Sequence, residues 1–280
     1  MAAARTPAAR RTTRPAGTGL PTQIRGLAEG HDVHVKFGLF GDPGSGKTPF
    51  LSTSPNCLIL EADRGIESAL KVAPSTTKKW VVDDWNDLNE AYNWLKNENA
   101  SQQTPFEWAW FDGITLFQDR GLAQIMEDLH AVKSHRSIYA PDQGEYRQNM
   151  ERLKKFIRDF VALPINIGWT AHVMVVERTF ADGTTVETNM PAIQGKDMSS
   201  KISGHMNIVA HMEVRESKKN PGTELNVLTT SRKDNWYGRD RYGAIGTMVK
   251  PTMTQVLEKI TAARATPVKK AAAATTGRTK

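Results

Sequence analysis

Gly41-Asp42-Pro43-Gly44-Ser45-Gly46-Lys47-Thr48 reads G-x-x-x-x-G-K-[ST] from end to end. Each defined position in that pattern has a chemical task. The glycines let backbone N–H groups turn inward around phosphates, the lysine reaches the β- and γ-phosphates, and the last hydroxyl ligates Mg²⁺. The whole loop, Gly41, Asp42, Pro43, Gly44, Ser45, Gly46, Lys47 and Thr48, is therefore assigned to nucleotide binding. Lys47 is also a catalytic candidate and Thr48 a metal ligand. The preceding run Val33-His34-Val35-Lys36-Phe37-Gly38-Leu39-Phe40 alternates and then turns apolar, as a strand entering a buried parallel sheet does. A helix should follow, with its N-terminus aimed at the phosphates. Pro49 suits its first turn, where a missing N–H costs no intrahelical bond, and Pro55 limits it to about two turns.

Strand and helix patterns alternate outward from the loop, which argues for an α/β fold with a mainly parallel sheet. Residues 56–60 form a second apolar strand, 79–82 a third and 108–111 a fourth. Asp84 or Asn86 is positioned to cap a helix whose Trp85, Leu88, Tyr92 and Leu95 recur at helical spacing. Further helices are expected over 116–135 and 145–162, and a fifth strand over 165–169. Segments 173–180 and 184–188 flank Ala181-Asp182-Gly183, a hairpin signal. Later strands fall near 207–215 and 225–231.

A phosphate loop needs an acidic partner for its metal. Trp108-Ala109-Trp110-Phe111-Asp112 supplies four apolar residues and then a carboxylate at a strand's C-terminal end, the edge where α/β sheets bind ligands. Asp112 is accordingly a candidate for the Mg²⁺ site and for catalysis. Glu61 and Asp63, just past the second strand, are both placed to accept a proton from attacking water. His172, at the end of Thr170-Ala171-His172, could sense the γ-phosphate and pass that state to the hairpin.

The chain has 280 residues with ordinary hydrophobic (39%) and charged (24%) content, consistent with a globular protein of one large domain. No apolar run approaches the ~18–20 residues needed to cross a bilayer. The single cysteine, Cys57, excludes a disulfide scaffold or a cysteine zinc site and suits a reducing compartment. The net charge of +7 is uneven. Arg5, Arg10, Arg11, Arg14 and Arg25 stand at one end, and Arg264, Lys269, Lys270, Arg278 and Lys280 at the other, with no acid among them. These ten leave 27 basic against 30 acidic residues between the ends. The domain is set at 31–260, with basic tails at 1–30 and 261–280 whose Ala-, Thr- and Pro-rich composition predicts disorder. Such arms suit a polyanion such as DNA, or serve only solubility.

Taken together, the phosphate loop, Leu60-Glu61-Ala62-Asp63, Phe111-Asp112-Gly113-Ile114-Thr115, Leu163-Pro164 through Thr170-Ala171-His172, Gly195-Lys196 and Gly238-Arg239-Asp240-Arg241-Tyr242-Gly243 resemble the RecA-like recombinase and ATPase core. The closer likeness is to the small RecA-like ATPases of bacteriophages implicated in single-strand annealing. The resemblance implies a RecA-like P-loop NTPase core with a twisted, mainly parallel sheet flanked by helices. It implies an ATPase using ATP and Mg²⁺ that binds single-stranded DNA and acts in recombination or annealing. Its setting would be the cytoplasm of a bacterial or phage-infected cell. Asp63 matches the water-activating position, where family members typically have Glu. His172 matches the residue that couples ATP to a DNA-binding loop, here 173–194. That loop has one basic residue, Arg178, so Lys196, Lys201 or the tails would have to contribute. Arg239 and Arg241 match a basic residue that reaches a neighbour's γ-phosphate in ring or filament assemblies. A homo-oligomer and a single-strand-binding protein partner follow from the same likeness. Two other readings share the loop: a P-loop kinase of a small molecule or nucleotide, and a helicase-loader-type switch.

Overall fold

The computed structural model describes residues 34–265, apart from Lys196, Asp234 and the side chain of Arg178. The expected N-terminal tail, residues 266–280 of the C-terminal one, and Lys196 lie outside the described residues.

The central strands form where the sequence is apolar on both faces, and burial is what they obtain. β1 (Lys36–Phe40), β2 (Cys57–Glu61) and β4 (Trp108–Asp112) are buried at every position, and β5 (Asn166–Ala171) at all but the first. With β3 (Lys78–Val81), β8 (Ile208–Glu216), β9 (Glu224–Thr229) and β11 (Thr247–Val249), they make a sheet in the order β11-β9-β8-β1-β5-β4-β2-β3. β10 (Arg239–Asp240) adds to β8 beside it. The stretch from β8 through β3 is parallel, β9 and β10 run antiparallel to β8, and β11 pairs antiparallel with β9. β5 therefore separates the strand feeding the phosphate loop from the strand carrying Asp112. This is the RecA-like P-loop NTPase arrangement that the resemblance implied.

Helices cover both faces. On one side α2 (Trp85–Asn97), α3 (Ile114–Val132), α4 (Gln143–Val161) and α5 (Met198–Gly204) bury Leu88, Phe117, Phe156 and Ile202 in one cluster. On the other, α1 (Lys47–Ser52) and α6 (Met253–Ala265) bury Leu51, Val256 and Ile260 against Trp108 and Trp110. Asp84 is the cap of α2, in a capping box with Asp87. The central strands also make room for large rings. A Cβ on Gly168 would come 2.3 Å from the Trp110 ring, so only glycine lets that indole lie across β5.

The Asp-Gly hairpin forms as expected, from β6 (Val173–Thr179) and β7 (Thr185–Pro191) in a sheet of its own. Several elements had no clear sequence expectation: the 3₁₀ turn Ile66–Ala69, α5, β10, β11 and α6. α6 runs to Ala265, so residues 261–265, assigned by composition to the tail, are helical. Met253, Val256 and Ile260 recur at helical spacing and are buried, and that anchoring outweighs the local composition. Among the described residues no helix is long and apolar enough to cross a membrane.

Candidate nucleotide site

The phosphate loop is held in shape from strands far away in sequence. Gly44 and Gly46 adopt φ of 78° and 93°, the left-handed region where a side chain is strained. Asn226 on β9 donates from Nδ2 to the Ser45 carbonyl at 2.7 Å, and a Cβ on Gly46 would lie 2.5 Å from that same nitrogen. On the other flank a Cβ on Gly41 would lie 2.2 Å from the Met212 carbonyl oxygen. Lys47 is buried, and its ammonium donates to the carbonyls of Gly41 and Asp42 at 2.9 Å each. Burial lowers its pKa, while Asp112, Asp63 and Asp42 act in the opposite direction. The Ser45 hydroxyl is buried in the loop without a hydrogen-bond partner. Such an orphan is costly unless a ligand satisfies it, and a phosphate oxygen suits it.

Asp112 ends β4 almost fully buried. Thr48 donates to its Oδ2 at 2.9 Å and Thr170 to its Oδ1 at 2.5 Å. Burial pushes the carboxyl pKa up to about 6 against those two hydroxyl bonds; the Asp63 charge adds to the rise and Lys47 opposes it. A carboxylate and a hydroxyl side by side make a hard-oxygen pair. Among the described residues no cluster of three His, Cys, Asp or Glu could hold a metal. Mg²⁺ at phosphates is commonly bound by one or two protein groups, phosphate oxygens and water. Thr48 and Asp112 fit that role.

The chain turn after β2 brings Asp63 to the same place. The N–H groups of Ala62 and Asp63 both donate to the Asp112 carbonyl, at 3.0 and 3.1 Å. Gly113 (φ 101°) permits this approach, since a Cβ there would fall 2.8 Å from Asp63 Cβ. Asp63 is 38% exposed, with its Oδ2 4.0 Å from His172 Nε2. Glu61 does otherwise: it is buried and paired with Lys79 of β3 at 2.9 Å. His172 stands at the root of the hairpin. Its N–H donates to Thr115 Oγ1 at 2.9 Å, and Thr115 donates in turn to the carbonyl of Ala192, just past β7, at 2.8 Å.

Lys47, Thr48, Asp63, Asp112 and His172 are thus brought together at one sheet edge. Arg239 and Arg241 are not. Arg239 pairs with Val209, and the Arg241 N–H donates to the Asn207 carbonyl, whereas the loop abuts β8 at Met212. At ~3.3 Å per residue that offset places Arg239 about 10 Å back along the strand. Sequence reading did not single out three residues that shape this site. Thr170 and Thr115 lie inside stretches already quoted, where the order of strands alone reveals their partners. Asn226 carries no local signal, being 181 residues from Ser45.

Residues 34–242 match the AAA domain family, a span that holds the loop, Asp63, Asp112, His172 and both arginines. The chain belongs to the AAA domain family. As a P-loop ATPase domain of AAA type, it has the phosphate loop, the buried acid and the adjacent hydroxyl that nucleotide and Mg²⁺ require. Among solved structures, a KaiC-like protein from the hyperthermophilic archaeon Pyrococcus horikoshii OT3 aligns at 12% identity with a TM-score of 0.38. The alignment covers 78% of this chain and 89% of that one. No curated protein matches the sequence.

Proposed function

We propose that this protein is a DNA-dependent ATPase that binds single-stranded DNA as a homo-oligomer and promotes recombination or annealing. The observation that carries the reading is the Asp63–His172 pair at the root of the β6–β7 hairpin. It puts a group able to take a proton from water beside a group whose backbone is tied to both ends of that hairpin.

The chemistry divides among the chain's own residues. Lys47 and the loop N–H groups hold the phosphates, and Thr48 and Asp112 would hold Mg²⁺, which supplies charge neutralisation at the transferring phosphoryl. Asp63 accepts the proton as water forms its bond to the γ-phosphorus. The bond to the β,γ-bridging oxygen breaks, and the electron pair leaves with ADP. His172 senses the change, and Thr115 links that position to the exit of the hairpin.

The hairpin itself is poorly suited to gripping a phosphate backbone. Glu177 sits directly opposite Glu187, and Asp182 is at the tip, against the single Arg178. We assign the phosphate contacts instead to Arg232, Lys233 and Lys201 and to the basic ends. Arg239 and Arg241 are available to serve a neighbouring subunit, since neither serves its own loop. The same acidic hairpin, with Val175 and Phe180 exposed, favours a second reading, a helicase-loader-type switch acting on a protein partner.

ATPase rate against added single-stranded DNA, for wild type and Lys47→Ala over a range of protein concentrations, tests the proposal. Stimulation that rises cooperatively with concentration and vanishes in the variant is the expected result. Turnover indifferent to DNA and to concentration would refute it and redirect attention to a protein partner or a small-molecule phosphate acceptor.

A further inference from the structure

We propose that Thr170 is the positioning residue for Asp112, fixing its carboxylate for Mg²⁺. This rests on the ATPase reading above but not on any role in DNA binding.

A hydroxyl has one hydrogen and two lone pairs, and the neighbours of Thr170 use them in only one way. The Gly113 N–H donates to Thr170 Oγ1 at 2.8 Å, so the hydroxyl hydrogen is left for Asp112 Oδ1. The other carboxylate oxygen receives Thr48. Asp112 is thereby gripped from α1 on one side and β5 on the other, and its plane is set by both. The two hydroxyls are not equivalent. Thr48 belongs to the phosphate loop and is itself a candidate ligand, so its bond to Asp112 is open to exchange when a metal is held. Thr170 is 1% exposed behind the strand end and has no such second duty. The Gly113 N–H ties the same hydroxyl to the turn on which Asp63 rests. Replacing the Thr170 hydroxyl by a methyl would leave Asp112 held by Thr48 alone and free to pivot, and would unpair the Gly113 N–H, while removing no side chain that meets the nucleotide.

The test is Mg²⁺ dependence of binding of a fluorescent ADP analogue, a readout that needs no hydrolysis, with ATPase rate measured alongside. Thr170→Val, of nearly the same shape, should leave analogue binding in EDTA unchanged and raise the half-saturating Mg²⁺ concentration by about 10–100-fold, as loss of an outer-shell partner does. Thr170→Ser should restore the wild-type dependence. At high Mg²⁺ the turnover of Thr170→Val should recover most of its loss. An unchanged Mg²⁺ dependence in Thr170→Val would overturn the assignment. So would equal loss of binding with and without metal that Thr170→Ser fails to repair, the pattern of a purely structural residue. If Thr170→Val proves too unstable to assay, the comparison of Thr170→Ser with Thr170→Cys decides. Retention by serine with a Mg²⁺ shift in cysteine supports the proposal, and identical behaviour overturns it. A wild type whose analogue binding ignores Mg²⁺ would sink the ATPase reading as well, which separates the two failures.

Discussion

Replacing Asp112 by asparagine should make the nucleotide-free protein more stable at neutral pH and leave it inactive. The carboxyl pKa is raised from 3.8 to about 6, chiefly because burial penalises the charge. In linkage terms the folded state holds this proton to higher pH than the unfolded chain does, so stability falls as pH rises between roughly 4 and 6. Below that window both states are protonated and no penalty exists; above it the penalty is complete. A rise of about two pKa units corresponds to about 3 kcal/mol. For a domain of this size, that is a melting temperature higher by roughly 6–12 °C. The asparagine side chain keeps the shape of the aspartate, and its amide can still meet the hydroxyls of Thr48 and Thr170. Thermal melts of wild type and Asp112→Asn at pH 8 and at pH 4.5, without nucleotide, measure the effect. The variant's advantage should be complete at pH 8 and fall to about a third, roughly 1 kcal/mol, at pH 4.5, and saturating Mg²⁺–nucleotide should narrow it by stabilising only the wild type. A variant less stable than wild type at pH 8, or equally favoured at both pH values, would refute the reasoning.

Other residues give sharper functional contrasts. Asp63→Asn should lower kcat by about 10²–10⁴-fold with nucleotide affinity intact, whereas Glu61→Gln should stay within a few-fold because Glu61 is engaged by Lys79; steady-state kinetics with a binding titration decide between them. Asn226→Ala removes the donor to the Ser45 carbonyl and should weaken nucleotide binding by about 5-fold, the worth of one ordinary hydrogen bond, read by fluorescent-analogue titration. Gly168→Ala drives a methyl into the Trp110 ring and should cost about 1–3 kcal/mol of stability by denaturant unfolding; an unchanged midpoint would contradict the packing described.

Much of the fold was legible because its signals are local. The runs of β2 and β4 are apolar up to a terminal acid, and those of β1 and β5 are mostly so, as strands buried on both faces must be, and Asp84, Pro49 and the Asp-Gly turn mark their own boundaries. α6 carries a weaker mark: Met253, Val256 and Ile260 recur at helical spacing, but the helix runs on into Ala- and Thr-rich sequence, and it is their burial that holds it. The candidate site was legible only as a set of residues near strand ends. Glu61 and Asp63 have the same sequence credentials, since two positions along a strand share a face. β2 ends at Glu61, and both following N–H groups turn to the Asp112 carbonyl. That turn breaks the alternation, so Glu61 is drawn into an ion pair with β3 while Asp63 swings to His172.

What the sequence by itself determined is the phosphate loop, the strand-helix rhythm around it and the acid at the end of β4, because each depends on backbone conformation and burial over a few residues. Only the tertiary structure decided which groups meet. Parallel strands are joined by long crossovers, so neighbours in the sheet are remote in the chain. Thr170 reaches Asp112 because β5 lies between β1 and β4, Asn226 reaches Ser45 because β9 closes that end, and Arg239 and Arg241 are carried to the far end of β8. Those juxtapositions follow from strand order, which no local pattern encodes.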